Sequence, residues 1–91
     1  MANQQRIIHF FGTVQGVGFR YTACRIADQH DLCGYVRNLP DGGVECVVEG
    51  SGEKIDAFLS DLAQAFGGYI RRTTQQTAPL SGQYRSFDVT Y

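Results

Sequence analysis

Residues 12–20 read GTVQGVGFR, three glycines in nine positions closed by an arginine. Arg20 carries a planar, permanently charged fork of N–H donors, a match for two oxygens of a tetrahedral oxyanion. Gly16 and Gly18 give the backbone the angles at which successive N–H groups converge on one small volume. Apolar IIHFF stands before the loop and a helical pattern after it. The loop therefore opens a helix, whose free N–H groups and dipole make that volume positive. An arginine in the first turn opposes the dipole, and a bound anion would remove the conflict. The chemistry that fits is phosphate capture. A dinucleotide fingerprint is excluded, because Tyr21 stands where its last glycine belongs. A P-loop is excluded too, since no Gly-Lys-Ser/Thr follows. Asn38 is the second candidate: its amide donates and accepts at once, which suits holding a water. The same residues also suit a plain tight turn, a solvated arginine and an asparagine flanking the Pro40 turn.

The loop must be held by regular elements, and the periodicities name them. Residues 6–14 form a strand apolar on both parities, with Ile8, Phe10 and Val14 against Ile7, His9 and Phe11. Such a strand sits inside a sheet. Phe19, Ala23, Ile26, Ala27 and His30 then make one stripe of an amphipathic helix, with Gly34 beyond its end. Residues 34–39 and 44–49 are strands joined by the turn Pro40-Asp41-Gly42-Gly43, a hairpin with Val44, Cys46 and Val48 on one face. Ser51 and Glu53 open a second helix, striped by Ile55, Phe58, Leu59, Leu62 and Phe66 and ended by Gly67-Gly68. Residues 69–77 are extended, 79–82 a loop, and 84–91 a last strand with Phe87, Val89 and Tyr91 on one face. The order β-α-β-β-α-β plus a C-terminal strand predicts an α+β, ferredoxin-like sandwich. Its expected form is an antiparallel sheet with two helices on one face, in one domain over residues 1–91.

Composition narrows the function. A net charge of −1 gives no basic excess for nucleic acid, where phosphate neutralisation supplies most of the affinity. No apolar run is long enough for a secretory signal or a membrane span, so the expected location is the cytoplasm. Cys24, Cys33 and Cys46 are odd in number and include no CxxC pair, which argues for reduced thiols over disulfides or zinc. His9 and His30 read as packing or surface residues.

The run VQGVGFR, joined to GYVRNLPDGGVE and a closing SFDVTY, resembles the acylphosphatases essentially from end to end. That resemblance implies the ferredoxin-like fold and hydrolysis of an acyl phosphate to a carboxylate and inorganic phosphate. It implies that Gln15, Gly16, Val17, Gly18, Phe19 and Arg20 cradle the phosphate through backbone amides. Arg20 would be the phosphate-binding arginine and Asn38 the group that orients the attacking water. The family needs no metal or cofactor, in keeping with the lack of metal-ligand spacing here. The expected partners are a small-molecule acyl phosphate and its phosphate product, with no nucleic acid or membrane, and the expected state is a monomer. Leu39 departs from the pattern, because some members carry a hydroxyl residue there. Residues 71–83 match the family least. Three other readings stay open on this architecture. An RNA-binding module would want aromatics on its central strands, and the third strand has none. A domain of a larger carbamoyl-transfer assembly would share the cradle. A metal carrier would want a CxxC in its first loop.

Overall fold

A computed structural model describes residues 3–91 of the chain. The elements are β1 (Asn3–Gly12), α1 (Phe19–Gln29), β2 (Cys33–Asn38), β3 (Val44–Ser51), α2 (Gly52–Phe66), β4 (Ile70–Ala78) and β5 (Phe87–Val89). They form one five-stranded sheet in the order β4-β1-β3-β2-β5. β1 lies inside the sheet, as its two apolar parities require. Its last predicted residues, Thr13 and Val14, belong instead to the loop, although Val14 stays fully buried.

Alternation along the strands sorts the two faces. Ile8 and Phe10 of β1, Val36 of β2 and Val44, Cys46 and Val48 of β3 pack in one cluster with the stripes of both helices. α1 contributes Phe19, Ala23, Ile26 and Ala27, and α2 contributes Ile55, Phe58, Leu62 and Phe66. Ser51 caps α2, its Oγ accepting from the Lys54 N–H at 3.3 Å. His30 ends α1, and its Nε2 lies 2.8 Å from Asp61 of α2, tying the helices together.

The other face carries no helix. There the odd-numbered residues of β1, β2 and β3 form polar networks. Glu45 Oε1 accepts from Tyr35 Oη and Arg37 Nε at 2.9 Å each, while its Oε2 lies 2.8 Å from His9 Nε2. Glu49, only 2 % exposed, accepts from Gln5 Nε2 at 2.8 Å. It also accepts from Ser81 N–H, Ser81 Oγ and Gly82 N–H at 2.8, 2.7 and 3.2 Å. The segment 79–86 thus crosses the open face and is latched at its middle by a buried carboxylate.

That crossing corrects one expectation. The sheet is mixed: β1, β2, β3 and β4 pair antiparallel, but β5 pairs parallel with β2. The chain leaves β4 at the sheet end where Ala78 faces Gln5, passes over Glu49, and re-enters where Phe87 faces Gly34. It therefore runs with β2. β5 is also shorter than the predicted 84–91. Phe87 is buried and Val89 partly so, but Tyr91 is 95 % exposed.

Burial alone pushes the Glu45 and Glu49 carboxyls up, yet their hydrogen bonds outweigh it and hold both below the ordinary glutamate value. A group depressed on folding contributes stability above its unfolded pKa and loses it as pH falls through the folded one. The urea midpoint is expected to hold steady down to about pH 5 and to drop below about pH 4.5. Glu49→Gln should lower stability at neutral pH by about 1–3 kcal/mol and flatten that acid limb. Urea titrations of both proteins across the pH range check this, and parallel acid limbs would contradict it.

Candidate active site

The sheet register brings the two sequence candidates to one end. Phe10 of β1 faces Val44 of β3, and Val44 faces Asn38 of β2. The glycine loop leaves β1 just past that row. β3 lies between β1 and β2, so loop and asparagine approach across a strand rather than from neighbours.

A side chain closes the remaining gap. Gln15 Nε2 donates to Leu39 O and to Gly43 O, both at 2.8 Å. The acceptors belong to the β2–β3 turn, which is itself closed by Leu39 N–H to Gly43 O at 2.8 Å and Gly43 N–H to Asp41 Oδ1 at 2.8 Å. The loop is thereby tied to the turn that follows Asn38. The sequence did not single out this role of the Gln15 side chain.

The loop's own side chains sort inward and outward. Val14 and Phe19 are fully buried and Val17 packs partly on the core. The Phe19 ring lies 5.0 Å from Phe10 and 4.9 Å from Phe66, centroid to centroid, and so anchors the start of α1. Gly16 and Gly18 hold φ of 81° and 79°, the left-handed region that a Cβ disfavours. A Cβ on either would meet nothing within 4 Å, so backbone angle alone demands glycine there.

The backbone N–H groups from Gln15 to Tyr21 find no acceptor among the described residues; the first N–H satisfied in α1 is that of Thr22, donating to Gly18 O at 3.1 Å. Gly18 is the N-cap and supplies no side-chain cap, and the first turn holds no acid. This helix end is positive and uncompensated.

Arg20 is partly buried and takes part in none of the ion pairs among the described residues. Its Cζ lies 5.5 Å from the centre of the Tyr91 ring, a cation–π contact with no local signal in the sequence. Asn38 continues the parity of buried Val36, so its side chain is on the helix face of the sheet. Its Oδ1 is buried with no hydrogen-bond partner among the described residues. An acceptor left so costs about 1–3 kcal/mol.

The remaining candidates lie elsewhere. His9 faces Glu45 on the open face and His30 faces Asp61 between the helices. The three cysteines are free, and burial pushes each thiol up, most of all at Cys46. None is poised as a thiolate nucleophile. Among the described residues no group of three or more His, Cys, Asp or Glu is arranged to hold a metal ion. No helix among them is long and apolar enough to cross a membrane.

The chain is an α+β sandwich, a sheet backed by two helices, with a glycine loop of unpaired amides and an arginine at the same end as an asparagine whose Oδ1 is buried, a set of groups whose chemistry suits an oxyanion. Comparison with known proteins identifies the family. The Acylphosphatase family model matches residues 6–89, and the chain belongs to that family. It is 55 % identical over 84 residues to the acylphosphatase of Methylococcus capsulatus, covering 86 % of each chain. It is 40 % identical over 90 residues to that of Bacillus licheniformis, covering 97 % of this chain and 98 % of the relative. The crystal structure of acylphosphatase from Bacillus subtilis superposes with a TM-score of 0.84 at 29 % identity, covering 99 % of this chain and all of that one. Family and fold make this chain an enzyme that hydrolyses acyl phosphates.

Removing the tie or the loop geometry should cost stability. Gln15→Ala is expected to lower it by about 1–3 kcal/mol, because two turn carbonyls lose their shared donor. Gly18→Ala is expected to lower it by about 1–2 kcal/mol through the left-handed penalty. Urea denaturation measures both, and midpoints equal to the unmodified protein's would contradict them.

Proposed function

We propose that the loop amides from Gln15 to Arg20, together with the Arg20 guanidinium, hold the phosphate of an acyl phosphate, and that Asn38 orients the water that attacks phosphorus. The observation that carries this reading is the run of backbone N–H groups without acceptors, beside a buried Asn38 oxygen without a donor.

The acyl–oxygen leaving group is a carboxylate, which departs as a stable anion and needs little help from an acid. Water forms the new P–O bond and the bond from phosphorus to the acyl oxygen breaks. A phosphate oxygen of the substrate accepts the water proton. Catalysis then rests on positioning and on stabilising charge over the equatorial oxygens. The amides and Arg20 supply that charge stabilisation in a fixed geometry. Asn38 accepts a hydrogen bond from the water through Oδ1 and so aligns its lone pair with phosphorus, an orientation effect. No step requires a strong base, which agrees with histidines paired to carboxylates away from the loop.

The reaction is metal-independent in this reading, and no cofactor enters it. The chain acts as a single acylphosphatase-like domain over residues 1–91, as a monomer in the cytoplasm, on small-molecule acyl phosphates, releasing inorganic phosphate.

Phosphate release from benzoyl phosphate in excess EDTA tests reaction and metal independence together: turnover is expected, and loss of turnover restored by added metal would contradict the reading. Arg20→Gln should lower kcat/KM by at least about 100-fold, the range for one preorganised charge-stabilising group. Asn38→Ala should lower kcat far more than it weakens competitive inhibition by inorganic phosphate. Near-normal turnover by a folded Arg20→Gln protein would overturn the assignment.

A further inference from the structure

The glycine loop and Asn38 stand on strands that do not touch. The β1–β3 and β3–β2 ladders hold Phe10, Val44 and Asn38 in one row, and both ladders end there. Beyond that row Phe11 and Gly12 pair with β4 alone, and the register shifts between them. β4 lies on the side of β1 away from Asn38. The sheet therefore leaves the distance from the loop to Asn38 unset. Val14 and Phe19 hold the loop in the core, but apolar contact is non-directional and sets no register across β3.

One side chain sets it. Gln15 Nε2 has two protons, and both are used, on Leu39 O and on Gly43 O at 2.8 Å each. Both neighbours are carbonyl oxygens, which only accept, so the atom between them is the nitrogen. Leu39 follows Asn38 directly, and Gly43 precedes Val44, the ladder partner of Asn38. Each carbonyl takes a second donor from within the turn, Leu39 O from Gly42 N–H at 3.1 Å and Gly43 O from Leu39 N–H at 2.8 Å. Gln15 thus grips a closed turn that is continuous with the end of β2. Among the described residues no other hydrogen bond joins residues 13–18 to residues 39–43.

We infer that the Gln15 side chain is a positioning residue for the reaction: by holding the loop in register with Asn38 across β3, it aligns the attacking water with phosphorus. This role rests on Asn38 orienting the water, as in the proposed function. In that reading the Gln15 backbone N–H serves the phosphate, while its side chain serves the water through Asn38. The two tasks can be separated, because a substitution removes the side chain and leaves the N–H. Loss of the tie keeps the amides and Arg20, so phosphate binding holds while the line of attack is lost. A misplacement of about 1 Å can cost about 100-fold in rate.

A double-mutant cycle tests this with Gln15→Met, Asn38→Ala and both together. Each is assayed with benzoyl phosphate, and folding is checked by circular dichroism. Methionine keeps the length of the side chain and has no donor. Gln15→Met should lower kcat by roughly 10- to 100-fold and change the inhibition constant of inorganic phosphate by less than about 3-fold. With Asn38→Ala already present, the same substitution should lower kcat by less than about 3-fold, because the two residues act together. Glu49→Gln weakens the fold at the other end of the sheet, where Glu49 faces Gln5, and should leave kcat within about 2-fold. Three results would each overturn the role: an equal kcat loss from Gln15→Met in both backgrounds, an inhibition constant that weakens as much as kcat falls, or the same kcat loss in Glu49→Gln. Near-normal kcat in folded Gln15→Met overturns it too, while leaving the Asn38 assignment standing. Near-normal kcat in Asn38→Ala overturns that assignment, and the role of Gln15 falls with it. Should Gln15→Met fail to fold, Gln15→Asn, one methylene short of the turn, goes through the same cycle and the same outcomes decide.

Discussion

The site depends on the Gln15 side-chain amide, which donates to two carbonyls of the β2–β3 turn. A loop rich in glycine loses much conformational freedom on ordering, and nothing within such a loop selects one conformation. The amide fixes one end of it against the turn after Asn38. The Phe19 ring, packed on Phe10 and Phe66, fixes the other end in the core. Between these two anchors the backbone N–H groups find no acceptor among the described residues, while Val14 is buried and Val17 packs partly on the core. In the proposed mechanism a loop held in this way needs no reorganisation at the moment of reaction, the condition under which fixed dipoles stabilise charge best.

The sheet divides the work of folding from the work of chemistry. One face carries the apolar cluster with both helices, and on it Arg6 of β1 pairs with Asp56 of α2. The opposite face satisfies its polar groups with one another, through Glu45 and Glu49, so that the chain can cross it without leaving carboxylates unpaired. That crossing brings β5 to the outer side of β2 and Tyr91 to Arg20. β4 is left as a free edge. It is almost wholly exposed and carries Arg71 and Arg72 near its start, charges that discourage pairing with another chain.

Much of this was legible in the residues. Helices and strands followed from apolar spacing, because each element buries one stripe or one parity and the sequence records which. The capping serine at 51 and the turn at 40–43 followed from local backbone chemistry. The direction of β5 did not follow. A three-residue strand has too little pattern, and its sense is set by where residues 79–86 cross a sheet that only the tertiary structure defines. Gln15 was expected to contribute an amide of the loop, and its side chain proved to have a separate structural task. Its acceptors are backbone carbonyls more than twenty residues away, which no local signal marks. Glu49 left a fainter trace, an acid inside an otherwise apolar strand, VECVVE. Phosphate chemistry at the loop could be argued from glycine, amide and arginine. The assignment of water to Asn38 drew on the family resemblance, and the buried, unpartnered oxygen now gives it a physical motive.

Phosphate capture by the loop is the claim on which the mechanism turns, and a titration of the isotopically labelled protein with inorganic phosphate, followed by amide and guanidinium NMR shifts, tests it most directly. Saturable shifts are expected at the amides from Gln15 to Tyr21 and at the Arg20 side chain, with little change on β4. Shifts centred on Arg71 and Arg72, with the loop amides unmoved, would contradict it.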